Sequence, residues 1–248
     1  MKTGLVNGVA VAATSRDQAS SLLERWITEH RREYVVLANV HVVETARHDK
    51  DVADALAGAG LVLPDGAPVA WEVAHRAGAR SERVTGSDIF DGLCRISPER
   101  GYRHFFYGST SATLDALVRT VAARYPGLEV CGALSPAFAP KAVLRSDELD
   151  LINAARPDIV WVGLGAPKQE VWMRRARSAL EAPLLIGVGA VFDFASGHKP
   201  RAPRLLQQLG LEWAFRLAQD PTQLARRYAV TNTSFIAGLI RTRLGGEL

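Results

Sequence analysis

The stretch DIVWVGLGAPKQE, residues 158–170, decides the fold of this chain. Its first half is an apolar run typical of a buried strand, and its second half is a glycine turn that leads into a helix-like segment. Gly163 and Gly165 allow the backbone to approach a ligand closely. The amides of the helix start and the ammonium group of Lys168 could face a phosphate. These features predict a nucleotide site, although such turns also close ordinary strand-to-helix connections.

Short apolar runs alternate with longer helical patterns over most of the chain. The strand candidates are residues 34–38, 61–63, 104–107, 128–131, 159–162 and 184–188. Helical patterns lie between them, for example at 112–125 and 168–180. This alternation predicts an α/β fold in which helices flank a Rossmann-like, largely parallel sheet.

The alternation stops after about Gly197, and the remaining residues are typical of short helices separated by Pro203, Gly210 and Pro221. We therefore divide the chain into an α/β core, residues 1–197, and a C-terminal helical appendage, residues 198–248. The appendage has 8 Lys and Arg against 3 Asp and Glu, a net charge of +5, whereas residues 1–197 have 22 against 23. A basic appendage suits nucleic acid, anionic lipid or a phosphorylated substrate, and composition does not choose among them.

Composition excludes several classes of protein. With 248 residues and 48% apolar content the chain can bury a sizeable core, and its 2 cysteines favour a reducing compartment. The 6 histidines are scattered and suggest no metal site. The longest stretches without charge have 13 residues, fewer than the roughly 20 that span a bilayer. An apolar run near the N-terminus, residues 9–13, is interpreted as an edge strand rather than a signal peptide, so we expect a cytosolic protein.

Polar residues follow three of the predicted strands. Asn39 follows the first, Asp65 and Gly66 the second, and Gly189 and Asp193 the last. Ligands of open α/β sheets bind outside the carboxyl ends of the strands, so these residues and the 163–170 turn should form one rim. Plain structural roles are also possible, because Pro-Asp-Gly is a common turn, an aspartate can cap a helix, and an asparagine can fix its own loop.

Arginines dominate the polar part of the appendage. The planar guanidinium group matches phosphate oxygens in pairs, so Arg216, Arg226 and Arg227 could together hold a diphosphate. The alternative is a solvated helix face. Further along, an apolar stripe at helical spacing could lie on a lipid surface or pack on the core; it consists of Phe235, Ile236, Leu239 and Ile240.

Seven short elements in a fixed order together resemble one family. They are Asn39, Pro64-Asp65-Gly66, Gly86-x-Asp88, Gly163-x-Gly165-x-Pro167-Lys168-Gln169-Glu170, Gly189 through Asp193, Arg201-Ala202-Pro203, and Glu212-Trp213 with Arg216. In that order the chain resembles the WecG/TagA/CpsF glycosyltransferases from about residue 4 to residue 235.

The resemblance implies an enzyme of the cytosolic membrane face, bound peripherally, that builds cell-surface polysaccharides. Such an enzyme moves a sugar from a UDP-sugar to a sugar linked through diphosphate to a polyprenyl lipid, with inversion at the anomeric carbon. It implies Asp65 as the catalytic base. We expect donor contacts from Asn39, Gly66, Gly163, Gly165, Lys168, Gln169, Gly189 and Asp193, and acceptor diphosphate contacts from Arg216, Arg226 and Arg227. No nucleic acid partner is expected.

The reaction should need neither a cofactor nor a metal ion. Many sugar-nucleotide enzymes neutralise the departing UDP with a metal held by an Asp-x-Asp pair. The triplet Asp49-Lys50-Asp51 lies between helical patterns, away from any strand end, and is interpreted as a solvated turn. Backbone amides near Gly163 and Gly189, together with Lys168 and Gln169, are expected to balance the charge instead.

One position departs from the family pattern. Relatives often have threonine two residues before the asparagine, where this chain has Leu37, and His41 is a possible substitute contact. The donor sugar therefore stays open among N-acetylmannosamine, its uronic acid and glucose.

Two other hypotheses are a catalytically silent membrane-docking protein and, because of the Gly-x-Gly turns, a nicotinamide-dependent oxidoreductase. Against the second, Lys168 and Phe192 occupy the third-glycine positions of the dinucleotide motif. An exposed apolar helix in the appendage also suggests a homo-oligomer.

Overall fold

The computed structural model describes residues 1–208 and 210–244, except for the side chains at positions 204, 208, 216, 223, 224, 226–229 and 242–244. Its centre is a six-stranded parallel sheet, which confirms the predicted fold class. The sheet strands are β3 (Glu33–Ala38), β4 (Leu61–Pro64), β5 (Arg103–Gly108), β6 (Glu129–Leu134), β7 (Ile159–Gly163) and β8 (Leu184–Gly187). A separate antiparallel hairpin consists of β1 (Thr3–Val6) and β2 (Val9–Ala12).

The strand order of the main sheet is β4-β3-β8-β7-β5-β6. The chain leaves β5 for β6 on one side and leaves β7 for β8 on the other, so the order reverses between β5 and β7. These two strands end side by side, with Gly108 in register with Gly163. In open α/β sheets a ligand crevice forms at such a reversal, outside the carboxyl ends of the strands.

Helices cover both faces of the sheet and extend into the appendage. They are α1 (Arg16–Thr28), α2 (Val40–Ala46), α3 (Lys50–Ala57), α4 (Ala67–Ala77), α5 (Gly86–Arg100), α6 (Ser111–Arg124), α7 (Ser146–Ala154), α8 (Lys168–Ala176), α9 (Val191–Ala195), α10 (Arg204–Gln208), α11 (Glu212–Gln219) and α12 (Pro221–Leu244). One hydrophobic core packs α2, α3, α4, α7 and α8 on the sheet, and a second packs α1, α5, α6 and α9 on its other face. Burial on both faces explains why the strands are nearly continuous apolar runs.

The predicted strands agree with the structure to within about three residues at each end. The prediction for residues 168–180 as one helix was too long, because α8 ends at Ala176. The guanidinium group of Arg32 donates to the carbonyl oxygens of Ser178 and Leu180 at 2.8 and 2.6 Å. Side chains rather than a further helical turn therefore satisfy these carbonyl groups.

The N-terminal apolar run forms a strand, as predicted, but in a separate hairpin rather than in the main sheet. It forms β2, which pairs with β1 alone in the described part of the chain. Asn7 and Gly8 have φ values of 47° and 87°, as a two-residue hairpin turn requires. One side of this hairpin packs on α4 and joins the first core.

The appendage is helical as predicted, but it does not consist of short helices only. Pro203, Gly210 and Pro221 do separate α10, α11 and α12. However, α12 has 24 residues, because Pro221 occupies its first turn and no proline follows. α12 packs on α2 and buries Phe235, which is 3% exposed, in the first core. The boundary at residue 197 stays a prediction.

Over the described residues, no helix combines the length and the apolar character that crossing a bilayer requires.

Candidate active site

A cavity of about 540 Å³ opens at the carboxyl ends of β5, β6 and β7, where the strand order reverses. Ser109, Thr110 and Ser111, in the turn from β5 into α6, line part of this cavity. The connection that follows β6 contributes Ser135, Phe138 and Lys141. The end of β7 and the start of α8 contribute Gly163, Leu164 and Lys168. The cavity therefore combines polar groups, an aromatic ring and ammonium groups at the place where the fold predicts a ligand.

Lys168 lies in the first turn of α8 and points toward this cavity. Its ammonium group donates to the carbonyl oxygen of Ala139 at 2.9 Å and lies 5.4 Å from the ring centroid of Phe138. The ring is 90% exposed, so it is open to a planar ligand. Lys168 thus connects the predicted glycine turn with the connection after β6.

Glycine is required at the two positions of the turn for different structural reasons. A Cβ atom built on Gly163 would lie 2.5 Å from a ring carbon of Phe192, so glycine is needed there for packing. Gly165 instead has φ +81° with open space around its Cα, so its backbone conformation requires glycine. Neither reason requires a ligand, and their roles as donor contacts stay predictions.

Gln169 connects the glycine turn with the end of β8. Its side-chain oxygen accepts a hydrogen bond from the Gly189 amide at 3.0 Å, and its Nε2 donates to Glu170 Oε1 at 3.0 Å. Gln169 is 4% exposed and Glu170 is fully buried. Burial raises the pKa of the Glu170 carboxyl to about 7. The Gly189 amide already donates to Gln169. For these two groups to contact the UDP-sugar, as expected, this hydrogen bond must open.

Asn39, Asp65 and Gly66 lie together at the ends of β3 and β4, at the other end of the rim. The Asp65 amide donates to the Ala38 carbonyl at 3.0 Å, which extends the ladder between the two strands. A Cβ atom built on Gly66 would lie 4.0 Å from Cβ of Asn39. Asn39 Oδ1 caps α2 by accepting from the Val42 amide at 3.1 Å, so Asn39 does fix its own loop. Its amide nitrogen takes no part in that cap.

The rim is therefore extended rather than a single pocket. Gly163 and Lys168 line the cavity, whereas Asn39 and Asp65 lie beyond β8, on β3 and β4. Three strand intervals separate β7 from β4, roughly 14 Å at the usual strand spacing. A ligand that touches both ends must be long, with different groups at its two ends.

The sequence left the roles of three further residues near the rim undecided, and the structure gives their positions. Asp193 lies half-buried in α9 and does not occupy its N-cap, which is Ala190. Leu37 is 4% exposed within the second core, so its side chain is a packing residue rather than a ligand contact. His41 is half-buried in the first turn of α2, two residues after Asn39.

Both aspartates of the Asp-x-Asp triplet make structural contacts. Asp49 caps α3 and accepts from the Asp51 and Val52 amides. Asp51 forms an ion pair with Arg175 at 2.8 Å. The triplet was interpreted as a solvated turn, but Asp49 is the N-cap of α3, and Lys50 and Asp51 form the first turn of that helix.

The three arginines predicted for the acceptor diphosphate lie in the appendage helices. Arg216 belongs to α11, and Arg226 and Arg227 belong to α12. Their side chains lie outside the described part of the structure, so their roles stay predictions.

Sequence reasoning missed the half of the cavity built by β5 and β6. The segment Gly108-Ser109-Thr110-Ser111 follows an apolar strand and opens a helix, which is the pattern that was used for the other strand ends. The 135–145 connection has no periodic pattern, and Phe138 joins the site only through the tertiary fold. The sequence therefore contained a signal for the 108–111 segment but none for the 135–145 connection.

Comparison with known proteins agrees with this geometry. The model of the glycosyl transferase WecG/TagA/CpsF family matches residues 5–247. A protein of Bacillus subtilis (strain 168) is 27% identical over 237 residues, which cover 93% of this chain and 91% of that protein. A protein of Bacillus spizizenii (strain ATCC 23059 / NRRL B-14472 / W23) is 28% identical over 212 residues, 85% of this chain and 80% of that protein.

Both relatives are named N-acetylglucosaminyldiphosphoundecaprenol N-acetyl-beta-D-mannosaminyltransferase. The family assignment favours a transferase over the silent docking protein and over the oxidoreductase, whose dinucleotide motif is also interrupted by the Phe192 ring packed on Gly163. The family model covers nearly the whole chain, from the N-terminal hairpin to the appendage, and the rim elements fall within it. The chain therefore belongs to the WecG/TagA/CpsF family and is a glycosyltransferase.

Proposed function

We propose that this enzyme transfers an N-acetylmannosaminyl group from a UDP-activated donor to N-acetylglucosamine linked through diphosphate to a polyprenyl lipid. The observation that carries the proposal is the match to two relatives that share this activity, over 93% and 85% of the chain. Of the donors that the sequence left open, N-acetylmannosamine is the one that the relatives' names support.

The extended rim suits a donor with a base at one end and a sugar at the other. The exposed ring of Phe138 offers a stacking surface for the base, and the Ser109 to Ser111 hydroxyl groups offer hydrogen bonds. Lys168 has its ammonium group at the same cavity and suits the diphosphate. The sugar then reaches across the end of β8 toward Asn39 and Asp65.

Asp65 is the proposed general base. In a direct displacement, the acceptor hydroxyl attacks the anomeric carbon, the bond from that carbon to the UDP oxygen breaks, and the hydroxyl proton passes to a carboxylate. Attack and departure on opposite faces of the sugar invert its configuration. Asp65 is half-buried in a turn held by the hydrogen bond of its amide to Ala38. The sheet therefore fixes the backbone of Asp65.

The departing UDP is proposed to leave without a metal ion. Its growing negative charge would be balanced by Lys168 and by backbone amides of the rim. The structural contacts of Asp49 and Asp51 support this, because Asp49 caps α3 and Asp51 pairs with Arg175.

The appendage is proposed to serve the acceptor at the inner face of the cell membrane. A lipid diphosphate in an anionic leaflet attracts basic segments by about 1 kcal/mol per residue. The appendage has a net charge of +5 and includes Arg216, Arg226 and Arg227. The helical appendage thus binds both the anionic membrane surface and the acceptor diphosphate.

UDP release from a panel of UDP-sugars, with and without a polyprenyl-diphosphate N-acetylglucosamine analogue, tests the proposal. We expect acceptor-dependent release from UDP-N-acetylmannosamine that persists in EDTA. Asp65→Asn keeps the shape of the side chain and removes the base, so turnover should fall on the order of a hundredfold or more while UDP binding stays. Asp49→Asn, a helix-cap change, is the matched control. Loss of activity in EDTA with rescue by Mn²⁺ would contradict metal independence, and full activity of Asp65→Asn would exclude it as the base.

A further inference from the structure

Four charged side chains from three separate segments meet beside the Asp65 turn. Arg83 precedes α5, Asp88 lies in its first turn, Arg201 lies between α9 and α10, and Glu212 begins α11. Glu212 Oε2 lies 3.3 Å from the Arg83 guanidinium, and Glu212 Oε1 lies 3.6 Å from Nε of Arg201. Arg201 also faces Asp88 at 3.8 Å. These four residues are called the Glu212 cluster below.

The cluster is largely shielded from water. The side chains of Glu212 and Arg83 are 16% and 21% exposed, and those of Arg201 and Asp88 are 28% and 22% exposed. Two cations and two anions balance each other. Ion pairs that are partly buried are screened less by salt than exposed ones, so this network can fix a geometry that a surface pair would not.

The cluster is attached directly to the turn that holds Asp65. The amide of Val84, next to Arg83, donates to the carbonyl oxygen of Pro64 at 3.0 Å, and Pro64 immediately precedes Asp65. On the other side, a Cβ atom built on Gly210 would lie 3.0 Å from Cβ of Ala67, two residues after Asp65. The segment that carries Arg83 therefore contacts the residue before Asp65, and the segment that carries Glu212 contacts the start of α4 just after it.

Arg201 also ties the cluster to the end of the sheet. It donates to Thr85 Oγ1 at 3.4 Å, and Thr85 forms a capping box with Asp88 at the start of α5. A Cβ atom built on Gly86 would lie 2.9 Å from Leu37 and 3.0 Å from Val191, so α5 begins in close contact with the end of β3 and the start of α9. The cluster thus has a fixed position relative to the rim.

We propose that Glu212 is a positioning residue that docks the appendage on the Asp65 turn in the arrangement that accepts the polyprenyl-diphosphate substrate. Arg216 lies one helical turn after Glu212 in α11, so the docking of Glu212 sets the distance between that helix and Asp65. This inference rests on the proposed transferase function. It gives a role to Gly86-x-Asp88, Arg201-Ala202-Pro203 and Glu212, which are motif elements outside the donor cavity.

Steady-state kinetics of Glu212→Gln test the inference. The variant keeps the shape of the side chain and removes the charge that pairs with both arginines. We expect kcat/KM for a short-chain polyprenyl-diphosphate N-acetylglucosamine acceptor to fall on the order of ten- to a hundredfold, the scale on which a misplaced binding group affects turnover. The KM for the UDP-sugar should stay within about twofold, because the cavity proposed for its base and diphosphate lies at the other end of the rim. Glu212→Asp keeps the charge and should recover part of the acceptor effect.

Glu82→Gln is the matched control, since Glu82 neighbours Arg83 but its side chain is 54% exposed and pairs with Arg16 at 3.7 Å. It should leave both kinetic constants unchanged. Should Glu212→Gln fail to fold, Arg201→Lys, which keeps the charge but not the guanidinium fork, has the same expected acceptor effect.

Two results would overturn the inference: unchanged acceptor kinetics in a folded Glu212→Gln, or equal losses for donor and acceptor. Failure of the proposed function looks different, because the wild-type enzyme itself would then show no acceptor-dependent UDP release.

Discussion

Glu170 is a completely buried carboxylic acid beside the site, and its protonation should affect stability in a predictable direction. One carboxyl oxygen accepts from Gln169, while Oε2 has no hydrogen-bond partner among the described residues. Burial raises the pKa of Glu170 from 4.5 to about 7. Between these values the folded state keeps the proton and the unfolded state releases it, so the free energy of unfolding falls as pH rises.

Glu170→Gln removes this titration and still offers an oxygen to Gln169. The free energy of unfolding of wild type should fall from pH 5 to pH 8 by on the order of 2–3 kcal/mol more than that of the variant, at 1.36 kcal/mol per pKa unit. Urea unfolding at both pH values measures the difference. Glu99→Gln, an exposed change in α5, should shift stability by less than about 0.5 kcal/mol at either pH. Parallel pH profiles for wild type and Glu170→Gln would show that Glu170 is ionised in the folded enzyme.

The contact between β7 and α9 fixes how closely two elements of the site approach each other. Phe192 is 1% exposed, so its ring has no room to move away from a Cβ atom on Gly163. Gly163→Ala should therefore lower the free energy of unfolding by about 1–3 kcal/mol through overpacking. Phe192→Leu makes space at the same contact, so the double variant should be less destabilised than the sum of the two single changes. Strict additivity in denaturant unfolding would mean that the two residues do not compete for the same space.

The sheet elements were readable because a parallel strand buried on both faces has a local signature. Residues 159–162 and 184–188 are such runs, and β7 and β8 occupy them almost completely. β6 lies at the sheet edge and is only half-buried, so its apolar signal was weaker and its predicted position too early. The Asn7-Gly8 pair is typical of a hairpin turn, and it indicates that β2 pairs with β1 rather than with the main sheet.

Only part of the candidate site could be predicted from the sequence. Asn39, Asp65 and Lys168 were predicted to share one edge because the carboxyl ends of parallel strands meet there, and the three residues do follow β3, β4 and β7. Which of them share a pocket depends on the strand order, and no local pattern encodes an order such as β4-β3-β8-β7-β5-β6. The contribution of Phe138 likewise comes from a long-range contact, with Lys168 thirty residues later.

At the scale of the whole molecule, the appendage has two faces with different tasks. The inner face of α12 is fixed to the core, where Phe235 is buried and Ser234 donates to the buried Glu44 carboxylate at 2.6 Å. The outer face has Ile236 and Ile240, which are 57% and 51% exposed. Since packing on the core already occupies the inner face, the predicted apolar stripe is split, and only its outer part is available to a lipid surface.

If the appendage docks at an anionic leaflet, the double change Ile236→Ser and Ile240→Ser should weaken binding without unfolding the core. Burying such side chains contributes about 1.5–3 kcal/mol each when complete, so with half of each already covered we expect a loss on the order of ten- to a hundredfold for the pair. Cosedimentation with phosphatidylglycerol vesicles measures it. Leu151→Ser, at a 56% exposed leucine of α7 in the α/β core, is the matched control and should bind like wild type.

Salt separates the apolar part of this binding from the electrostatic part. Because the appendage has a net charge of +5, raising the salt concentration should weaken the binding of wild type and of the double variant by the same factor. Phosphatidylcholine vesicles should bind both proteins weakly. Equal losses for Leu151→Ser and for the double change would show that the membrane contact is not on α12, and the basic appendage would then serve the acceptor diphosphate alone.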